Sequence, residues 1–205
     1  IVELLAKKYK APVNAKITGY FGFTPMHFAA ANGEEDVVKM LEKYGAKVDA
    51  MNDNGDTPMH IAADKGHDKV VRLLAQYDAK VDAMDDKGNT PMHSAAFHGD
   101  EKVVRLLAKE FNADVNHQNK MGEAPLHIAA YNGHKNVVDI LLGKEYGAKV
   151  DAMDDKGNTP MHHAAGKGHG KVVKLLAQYG AKVEHQNEKG QTPLHNAAYN
   201  GHNNV

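Results

Sequence analysis

The feature that most limits how this chain can fold is a short segment, TPMHIAA at residues 57–63, which returns in closely similar form along the whole sequence. Its six copies are 33, 33, 34, 35 and 33 residues apart, and they begin at Thr24, Thr57, Thr90, Ala124, Thr159 and Thr192. Such regular spacing indicates one supersecondary unit that is copied in tandem. We therefore expect a linear array that buries apolar area between neighbouring units rather than around one central core.

Each copy of the segment carries the signals of a helix that begins at its second residue. Thr57 is a suitable N-cap because its hydroxyl can accept a hydrogen bond from an amide of the first turn, and Pro58 suits the next position, where no amide partner is lost. The small side chains of Ala62 and Ala63 keep the helix thin, so that a neighbouring helix can approach closely. Gly66 ends the helix, as equivalent glycines do in the other copies.

A second helix follows two or three polar residues after that glycine. Residues 70–74 (VVRLL) are apolar at helical spacing, and similar sequences recur in the other copies. This helix is predicted to end near Asp78, because the matching positions hold residue types that tolerate a left-handed backbone, namely Gly45, Asn112, Gly147 and Gly180. Residues 81–89 then carry turn chemistry around Asp-Lys-Gly, which predicts a hairpin-like loop leading into the next copy.

The order of these elements, together with the sequences TPMHIAA, VVRLL and AKVD, resembles the ankyrin repeat over essentially all 205 residues. The resemblance implies an all-α solenoid, which is a curved stack of antiparallel helix pairs whose loops project to one side. It also implies that other proteins bind on the concave face, which the loops and the first helices form. For the histidine of each repeated segment, it implies a structural role in hydrogen bonds across the loop and the helix start.

The chain, residues 1–205, is therefore predicted to be a single array of about five full repeats with a partial repeat at each end. The predicted units are a partial repeat and loop at 1–23, full repeats at 24–56, 57–89, 90–123, 124–158 and 159–191, and a partial repeat at 192–205. The chain begins and ends at the same phase of the unit, and neither end supplies a polar outer face. Because solenoids need polar outer faces on their terminal repeats, we expect flanking repeats or end-to-end contacts at both ends.

Three departures from the repeat predict local changes in structure. Ala124 replaces the capping threonine, and this loss is expected to cost about 1 kcal/mol of local stability. One residue is inserted near residues 109–111, and two are inserted near residues 143–145. We expect lengthened helix ends or small bulges at both places.

Composition narrows the location and the partners of the protein. The chain has no cysteine, which excludes disulfides, thiol catalysis and cysteine-ligated zinc and favours an intracellular, cytoplasmic protein. The net charge of -1 gives no global field that would attract nucleic acid or an anionic membrane. Neither a signal peptide nor an apolar run of the ~18 residues that a membrane span needs is present in the sequence.

The residues that most suggest chemistry are better explained as structure. The chain has 14 histidines. Most lie at repeated positions that should be about 8–10 Å apart in adjacent repeats, too far to share one zinc ion. The adjacent pair His162 and His163 points in different directions on a helix and cannot chelate together. We therefore expect satisfied structural or surface histidines and no metal site.

Catalytic and cofactor motifs are equally hard to find. The acidic pairs at residues 85–86 and 154–155 lack the ligand spacing of an EF-hand, and no glycine-rich phosphate loop occurs. The only serine, Ser94, takes a helix position that holds isoleucine in other copies, as do His163 and Asn196. If buried, these polar residues must find hydrogen-bond partners. We predict no catalytic residue and no cofactor.

Partner-binding residues are predicted on the concave face from their places in the repeat. One row of side chains precedes each helix start, and two further rows lie on the exposed last turn of each first helix. Phe97 and Tyr131 are central, because exposed aromatic side chains in a polar rim are typical of binding hot spots. The alternative is that they pack on their own loops. The complete predicted set is Tyr20, Phe21, Phe23, Asp56, Asp64, Lys65, Asn89, Phe97, His98, Glu123, Tyr131, Asn132, Asn158, Lys167, Gln191 and Tyr199.

The function predicted from these residues is that of a non-enzymatic scaffold or adaptor for a partner protein. Stacked repeats would present the loops and first helices in a fixed arrangement, so that little ordering entropy is lost on association. Two alternatives stay open. One is a targeting segment of a larger enzyme, channel or secreted effector, where a secreted effector would act in the host cytosol. The other is an architectural spacer. The resemblance also implies that Asn116 and Asn14 occupy the position at which an asparaginyl hydroxylase modifies ankyrin repeats of animal cells.

Overall fold

A computed structural model of the chain describes residues 1–203, and over those residues all regular secondary structure is helical. The helices come in pairs that follow the predicted repeats, each with an inner helix at the repeated segment and an outer helix after a short turn. The inner helices are α1 (Pro25–Asn32), α3 (Pro58–Asp64), α5 (Pro91–His98), α7 (Pro125–Tyr131), α9 (Pro160–Gly166) and α11 (Pro193–Tyr199). The outer helices are α2 (Glu35–Lys43), α4 (Asp68–Gln76), α6 (Glu101–Arg105), α8 (Lys135–Leu142) and α10 (Gly170–Gln178), with π-helices at Leu4–Lys8 and Leu106–Glu110.

The helices form two layers, and the core lies between the layers and between the repeats. The inner helices α1 to α9 each pack on their own outer helix, all inner helices pack on those of neighbouring repeats, and the outer helices pack on one another in the same order. Alanine pairs in the second half of the inner helices are fully buried, as at Ala62 and Ala63 in α3 and Ala129 and Ala130 in α7. This arrangement confirms the predicted all-α solenoid of stacked helix pairs.

The outer segment of each full repeat closes, as the sequence predicts, at a residue with a left-handed backbone. Asp78 has a φ of 62° and Asn112 a φ of 50°, and the glycines at the same position of other repeats also have positive φ. Asparagine and aspartate tolerate this conformation better than other residues with a side chain. The turn into the following loop is therefore set by one position of the repeat, which holds residue types that tolerate a positive φ.

The two insertions are accommodated differently. In the repeat at residues 90–123, helix α6 continues directly into the π-helix Leu106–Glu110, whose wider turns absorb the extra residue as the expected bulge. In the following repeat, α8 ends at Leu142 and the extra residues form a turn, in which the amide of Tyr146 donates to the carbonyl of Gly143 at 3.0 Å. Neither insertion changes the packing order of the outer helices.

Every inner helix except α7 begins with a threonine and a histidine that bond to each other. The backbone N–H of Thr57 donates to Nδ1 of His60 at 3.1 Å, and the Thr57 hydroxyl oxygen lies 2.9 Å from the same nitrogen. The same contacts occur at the starts of α1, α5, α9 and α11. At α7 the amide bond from Ala124 to His127 remains, at 3.0 Å, without a hydroxyl. The structural role that the resemblance implies for these histidines is confirmed at the helix start.

Replacing Ala124 by threonine is expected to stabilise the array by about 1 kcal/mol, because it restores the missing hydroxyl. The side chain should fit, since Thr57, Thr90 and Thr159 are just as buried at the equivalent position. Urea unfolding followed by far-UV circular dichroism measures the change. The reverse substitution, Thr90→Ala, is the matched control and should lose a similar amount. An A124T variant no more stable than the parent would contradict the prediction.

Apolar surface is exposed at both ends of the stack. Near the N-terminus, a cavity of 580 Å³ is lined by side chains that include Val2, Leu5 and Phe28. At the other end, Leu194 and Tyr199 of α11 are exposed to solvent. Both ends therefore differ from the polar outer faces that terminal repeats of a solenoid need.

Candidate functional site

The hairpin loops and the inner helices share one face of the stack, which we call the inner face. Its loops are joined edge to edge by one backbone hydrogen bond per repeat. The amide of Asp86 donates to the carbonyl of Asn54, and the amide of Asp155 to that of Met121, both at 3.0 Å. Equivalent bonds run from Asp53 to Phe21, from Lys120 to Lys87 and from Glu188 to Lys156. The loop tips therefore form one continuous surface with a fixed backbone.

The histidines at the helix starts also tie each inner helix to the loop that follows, and we call them the histidine staples: His27, His60, His93, His127 and His162. His60 Nε2 lies 3.0 Å from the carbonyl oxygen of Asn89, and the other staples make the equivalent contact. For His127 this contact, with Asn158, is 3.3 Å long, and the carbonyl oxygen of Ala152 lies closer, at 2.9 Å. A carbonyl can only accept and a backbone amide can only donate. Each ring must therefore carry its proton on Nε2 and accept at Nδ1.

Burial keeps the staple rings neutral. Burial lowers the pKa of His93 to about 4, although the hydrogen bond to the Glu123 carbonyl acts in the opposite direction and raises this pKa. It likewise lowers the pKa of His127 to about 4, with the nearby His163 adding to the effect. The pKa values of the other three staples are also lowered by burial. Protonation of Nδ1 would remove the acceptor for the helix-start amide, so the fold requires the neutral ring.

The first predicted row, immediately before the helix starts, is largely committed to bonds within its own loop. Asn89 Nδ2 donates to Asp85 at 2.9 Å, and Asn158 Nδ2 donates to Asp154 at 3.2 Å. A similar tie to the residue four positions earlier holds the side chains of Asp56, Glu123 and Gln191. All five residues of the row are half-buried. They form the framework of the inner face more than its contact surface.

Aromatic side chains of the second row project from the ends of the inner helices. Phe97 is 52% exposed, Tyr131 is 42% exposed and Tyr199 is 88% exposed. The Lys167 Nζ atom of the next repeat lies 4.4 Å from the centroid of the Tyr131 ring, within cation–π range. Phe97 borders a shallow cavity of 270 Å³ that Ser94 also lines. Contacts within the array thus cover only part of these aromatic rings.

The polar residues beside them are organised around Asp64. Its carboxylate lies 2.6 Å from Nε2 of His98 and 3.0 Å from Nζ of Lys65. Asn132 instead caps its own helix by donating to the carbonyl of Ile128 at 2.9 Å. Of the predicted residues at the position of Lys65, Asn132 is half-buried, whereas Lys65, His98 and Lys167 are exposed.

The N-terminal loop gathers three predicted aromatic residues next to α1. Phe23 is half-buried and stacks on His27 with ring centroids 5.2 Å apart, and Tyr20 meets Phe28 edge to face at 5.9 Å. Phe21 is 65% exposed and has a φ of 49°, which is rare for a bulky residue. Phe23 therefore packs within the array, whereas most of Tyr20 and Phe21 stays in solvent.

Two histidines contradict the prediction that all of them would be satisfied or on the surface. Within residues 1–203, Nε2 of His117 and Nε2 of His185 are buried without a hydrogen-bond partner. The rings pack edge-on against His93 and His162, with centroids 6.0 and 5.9 Å apart. The prediction is wrong for these two because their loops place an imidazole where a sister loop has the small Ala83.

A cluster that the sequence does not predict lies where three repeats meet. His163 Nε2 of α9 lies 3.0 Å from Asp154 Oδ2, and Glu123 offers a third ligand atom, all three lying within 4.8 Å of one another. Burial raises the pKa of Asp154, but hydrogen bonds from His163, Asn158 and Lys156 outweigh it and hold the pKa well below its usual range. Of the predicted site residues, only Glu123 belongs to this cluster.

Asn116 and Asn14 fasten neighbouring repeats to each other. The Asn116 amide nitrogen donates to the carbonyl of Gly147 at 3.1 Å, and its oxygen accepts from the amide of Lys149 at 2.9 Å. Asn14 makes the same two contacts with its next repeat, at 3.0 and 2.7 Å. Both ends of each side-chain amide are therefore used within the array. Hydroxylation at these positions stays a prediction.

The repeated helix pairs, stapled loops and glycine-ended helices recur along the stack in the order that the sequence predicts. A family model described as ankyrin repeats matches in three copies, at residues 1–85, 78–154 and 146–205, and so spans the whole chain. The chain belongs to the ankyrin-repeat family. Ankyrin repeats are in general protein–protein interaction modules. A search of the curated proteins returns no match for this ankyrin array.

The helices of this ankyrin array are short. None of those between residues 1 and 203 combines the length and the apolar character that crossing a membrane demands.

Proposed function

We propose that this ankyrin array is a non-enzymatic scaffold or adaptor that binds a partner protein on its inner face. The observation that carries the proposal is the exposure of Phe97 and Tyr131 on a surface whose backbone is bonded from loop to loop. Exposed aromatic residues within a polar rim are the kind that most often supply binding energy. The loop bonds and histidine staples hold this face before a partner arrives, so little ordering entropy is lost on association.

A second aromatic centre supports contact near the N-terminal end of the inner face. Phe21 is exposed and adopts a left-handed backbone, a conformation that costs free energy for a bulky residue. Strain of this kind is concentrated at functional sites. We propose that Phe21, together with Tyr20, extends the contact surface beyond Phe97 and Tyr131.

Composition supports a cytoplasmic partner protein rather than nucleic acid or a lipid surface. The chain carries a net charge of -1 and has no cysteine. Nucleic acid and anionic membranes are attracted by strongly basic surfaces. An intracellular location agrees with the missing disulfides.

We also propose that further protein covers both ends of the stack, from flanking repeats or from a second array. The apolar cavity beside Leu5 and Phe28 and the exposed Leu194 support this. Inside the stack, the residues that match Leu5 and Leu194 in other repeats, Leu74 and Leu126, are buried.

The partner-binding proposal is tested with the double variant Phe97→Ala, Tyr131→Ala. A partner is first captured by the parent from an extract of the source cells, and its affinity is then measured with purified proteins. The double variant should bind at least about 30-fold more weakly, because hot-spot residues contribute 2 kcal/mol or more. Tyr179→Ala is the matched control: its ring is 39% exposed on the outer layer, and this variant should bind like the parent.

Circular dichroism and thermal melting first establish that both variants fold like the parent. A partner that binds all three proteins equally would remove the aromatic residues from the site and contradict the proposal. Failure of the parent to capture any partner would favour the architectural spacer.

A further inference from the structure

We propose that Glu123, Asp154 and His163 form a binding site for a divalent transition-metal ion on the inner face. Each residue offers one ligand atom, and the three atoms all lie within 4.8 Å of one another. Ligands of a zinc-type ion lie about 2.0–2.2 Å from the metal, which places pairs of ligand atoms roughly 3–3.6 Å apart. Side-chain rotations that move the ligand atoms by roughly 1 Å would therefore close the cluster around an ion.

Three consecutive repeats supply these side chains, and hydrogen bonds hold the backbone between them. Glu123 comes shortly before α7, Asp154 lies in the next loop, and His163 lies in α9. The two loops are joined by the hydrogen bond from the amide of Asp155 to the carbonyl of Met121, at 3.0 Å. A metal site needs its ligands on a supporting structure that is already in place. This part of the inner face provides one.

Comparison with the other repeats distinguishes this set of residues. In the same register, the chain places Phe23, Asn52 and Ile61; Asp56, Asp85 and Ser94; Asn89, Asn119 and Ile128; and Asn158, Asn187 and Asn196. Only the set with His163 joins an imidazole to two carboxylates. Isoleucine fills the position of His163 in two sister repeats, so packing of the inner helix does not itself require an imidazole.

The donor set favours an ion such as Zn²⁺, Co²⁺ or Mn²⁺. Imidazole suits zinc and its neighbours, whereas carboxylates also suit harder ions such as manganese. Three protein ligands leave at least one coordination position open. The side chains of His163 and Asp154 are 14% and 6% exposed, and His163 also lines a cavity of 220 Å³ beside Tyr131. Water or a donor group from another molecule can therefore reach the ion.

Binding the ion would replace a contact that already joins two of the ligands. His163 Nε2 lies 3.0 Å from Asp154 Oδ2, and Asn158 Nδ2 donates to the same oxygen at 3.2 Å. The ion would take the place of the proton between imidazole and carboxylate, and the ring proton would move to Nδ1. The amides of Lys156 and Asn158 would keep donating to Asp154 Oδ1, at 2.9 and 2.8 Å, and so orient the carboxylate.

Titration of the purified array with Co²⁺ tests the site, because calorimetry gives the affinity and visible absorption reports the coordination. The parent is expected to bind a single tight equivalent. His163→Ile installs the residue of the sister position Ile61, and it should weaken binding at least about 100-fold. Glu123→Gln installs the residue of the sister position Gln191 and should also weaken it. His195→Gln removes an exposed histidine outside the cluster and should leave the affinity for Co²⁺ unchanged.

Two results would overturn this proposal. One is the absence of saturable binding by the parent up to about 1 mM Co²⁺. The other is equal affinity and equal absorption in the parent, H163I and E123Q, which would assign the binding to other histidines. Circular dichroism checks the fold of each variant. E123Q keeps the test decisive if H163I disturbs α9, because Glu123 lies outside the helices.

Discussion

Acidification from about pH 6.5 to about pH 4 is expected to destabilise the array progressively, because the histidine staples must be neutral in the folded state. The pKa values of His93 and His127 are lowered to about 4, whereas an exposed imidazole in the unfolded chain has a pKa of about 6.5. Between those values the unfolded chain binds protons that the folded chain does not. The stability contributed by these two neutral rings is therefore complete above about pH 6.5, falls as the pH drops and is lost below about pH 4.

The expected loss is on the order of 3 kcal/mol for each of these two histidines. Urea unfolding at a series of pH values measures it. His93→Gln removes one titrating group, so the dependence of stability on pH should become shallower, although stability at neutral pH also falls. His195→Gln is the matched control: His195 makes the same contacts with Thr192 but is exposed, and the pH dependence should stay close to that of the parent. An unchanged pH dependence in H93Q would contradict the staple mechanism.

The helix boundaries are predictable from the sequence because local rules set them. A proline follows the N-cap residue of every inner helix. Residues that tolerate a positive φ, such as Asp78 and Asn112, follow the outer helices. Each rule involves only a few neighbouring residues. The period of the repeat then fixes how these elements stack, so the fold follows from one unit and its spacing.

The inner face is predictable to the level of which side chains lie on it. The exposure of Phe97 and Tyr131 is confirmed, because their place at the end of an inner helix determines it. The bonds that hold Asn89 and Asn158 inside their loops are not apparent from the sequence. They depend on side-chain rotamers, which the repeat pattern does not specify.

Contacts between repeats are the part that single-repeat patterns miss. The cluster of Glu123, Asp154 and His163 depends on how far one repeat is displaced from the next, and so does the burial of His117 against His93. Aligning the repeats position by position gives the signal for this cluster that a single repeat lacks. It shows His163 at a position that isoleucine fills elsewhere, beside two carboxylates from earlier loops.

Gly122→Ala is expected to cause one of the largest single-residue losses of stability in the loops, about 3 kcal/mol. Gly122 has a φ of +73°, and a Cβ atom there would lie 2.6 Å from the backbone nitrogen of Asp155 in the next loop. That nitrogen donates the hydrogen bond to Met121 that joins the two loops. The substitution therefore combines a strained backbone, which costs about 1–2 kcal/mol, with displacement of a neighbouring main chain.

Gly190→Ala separates these two effects. Gly190 has a nearly identical φ of +70°, but within residues 1–203 no neighbouring atom lies within 4 Å of its added Cβ atom. G190A should therefore lose only the backbone contribution, about 1–2 kcal/mol, and urea unfolding of the two variants gives the difference. A larger loss in G122A means that the loops resist displacement together, as a fixed inner face requires. Equal losses would mean that each loop relaxes by itself, and the low entropy cost proposed for partner binding would then lose its structural basis.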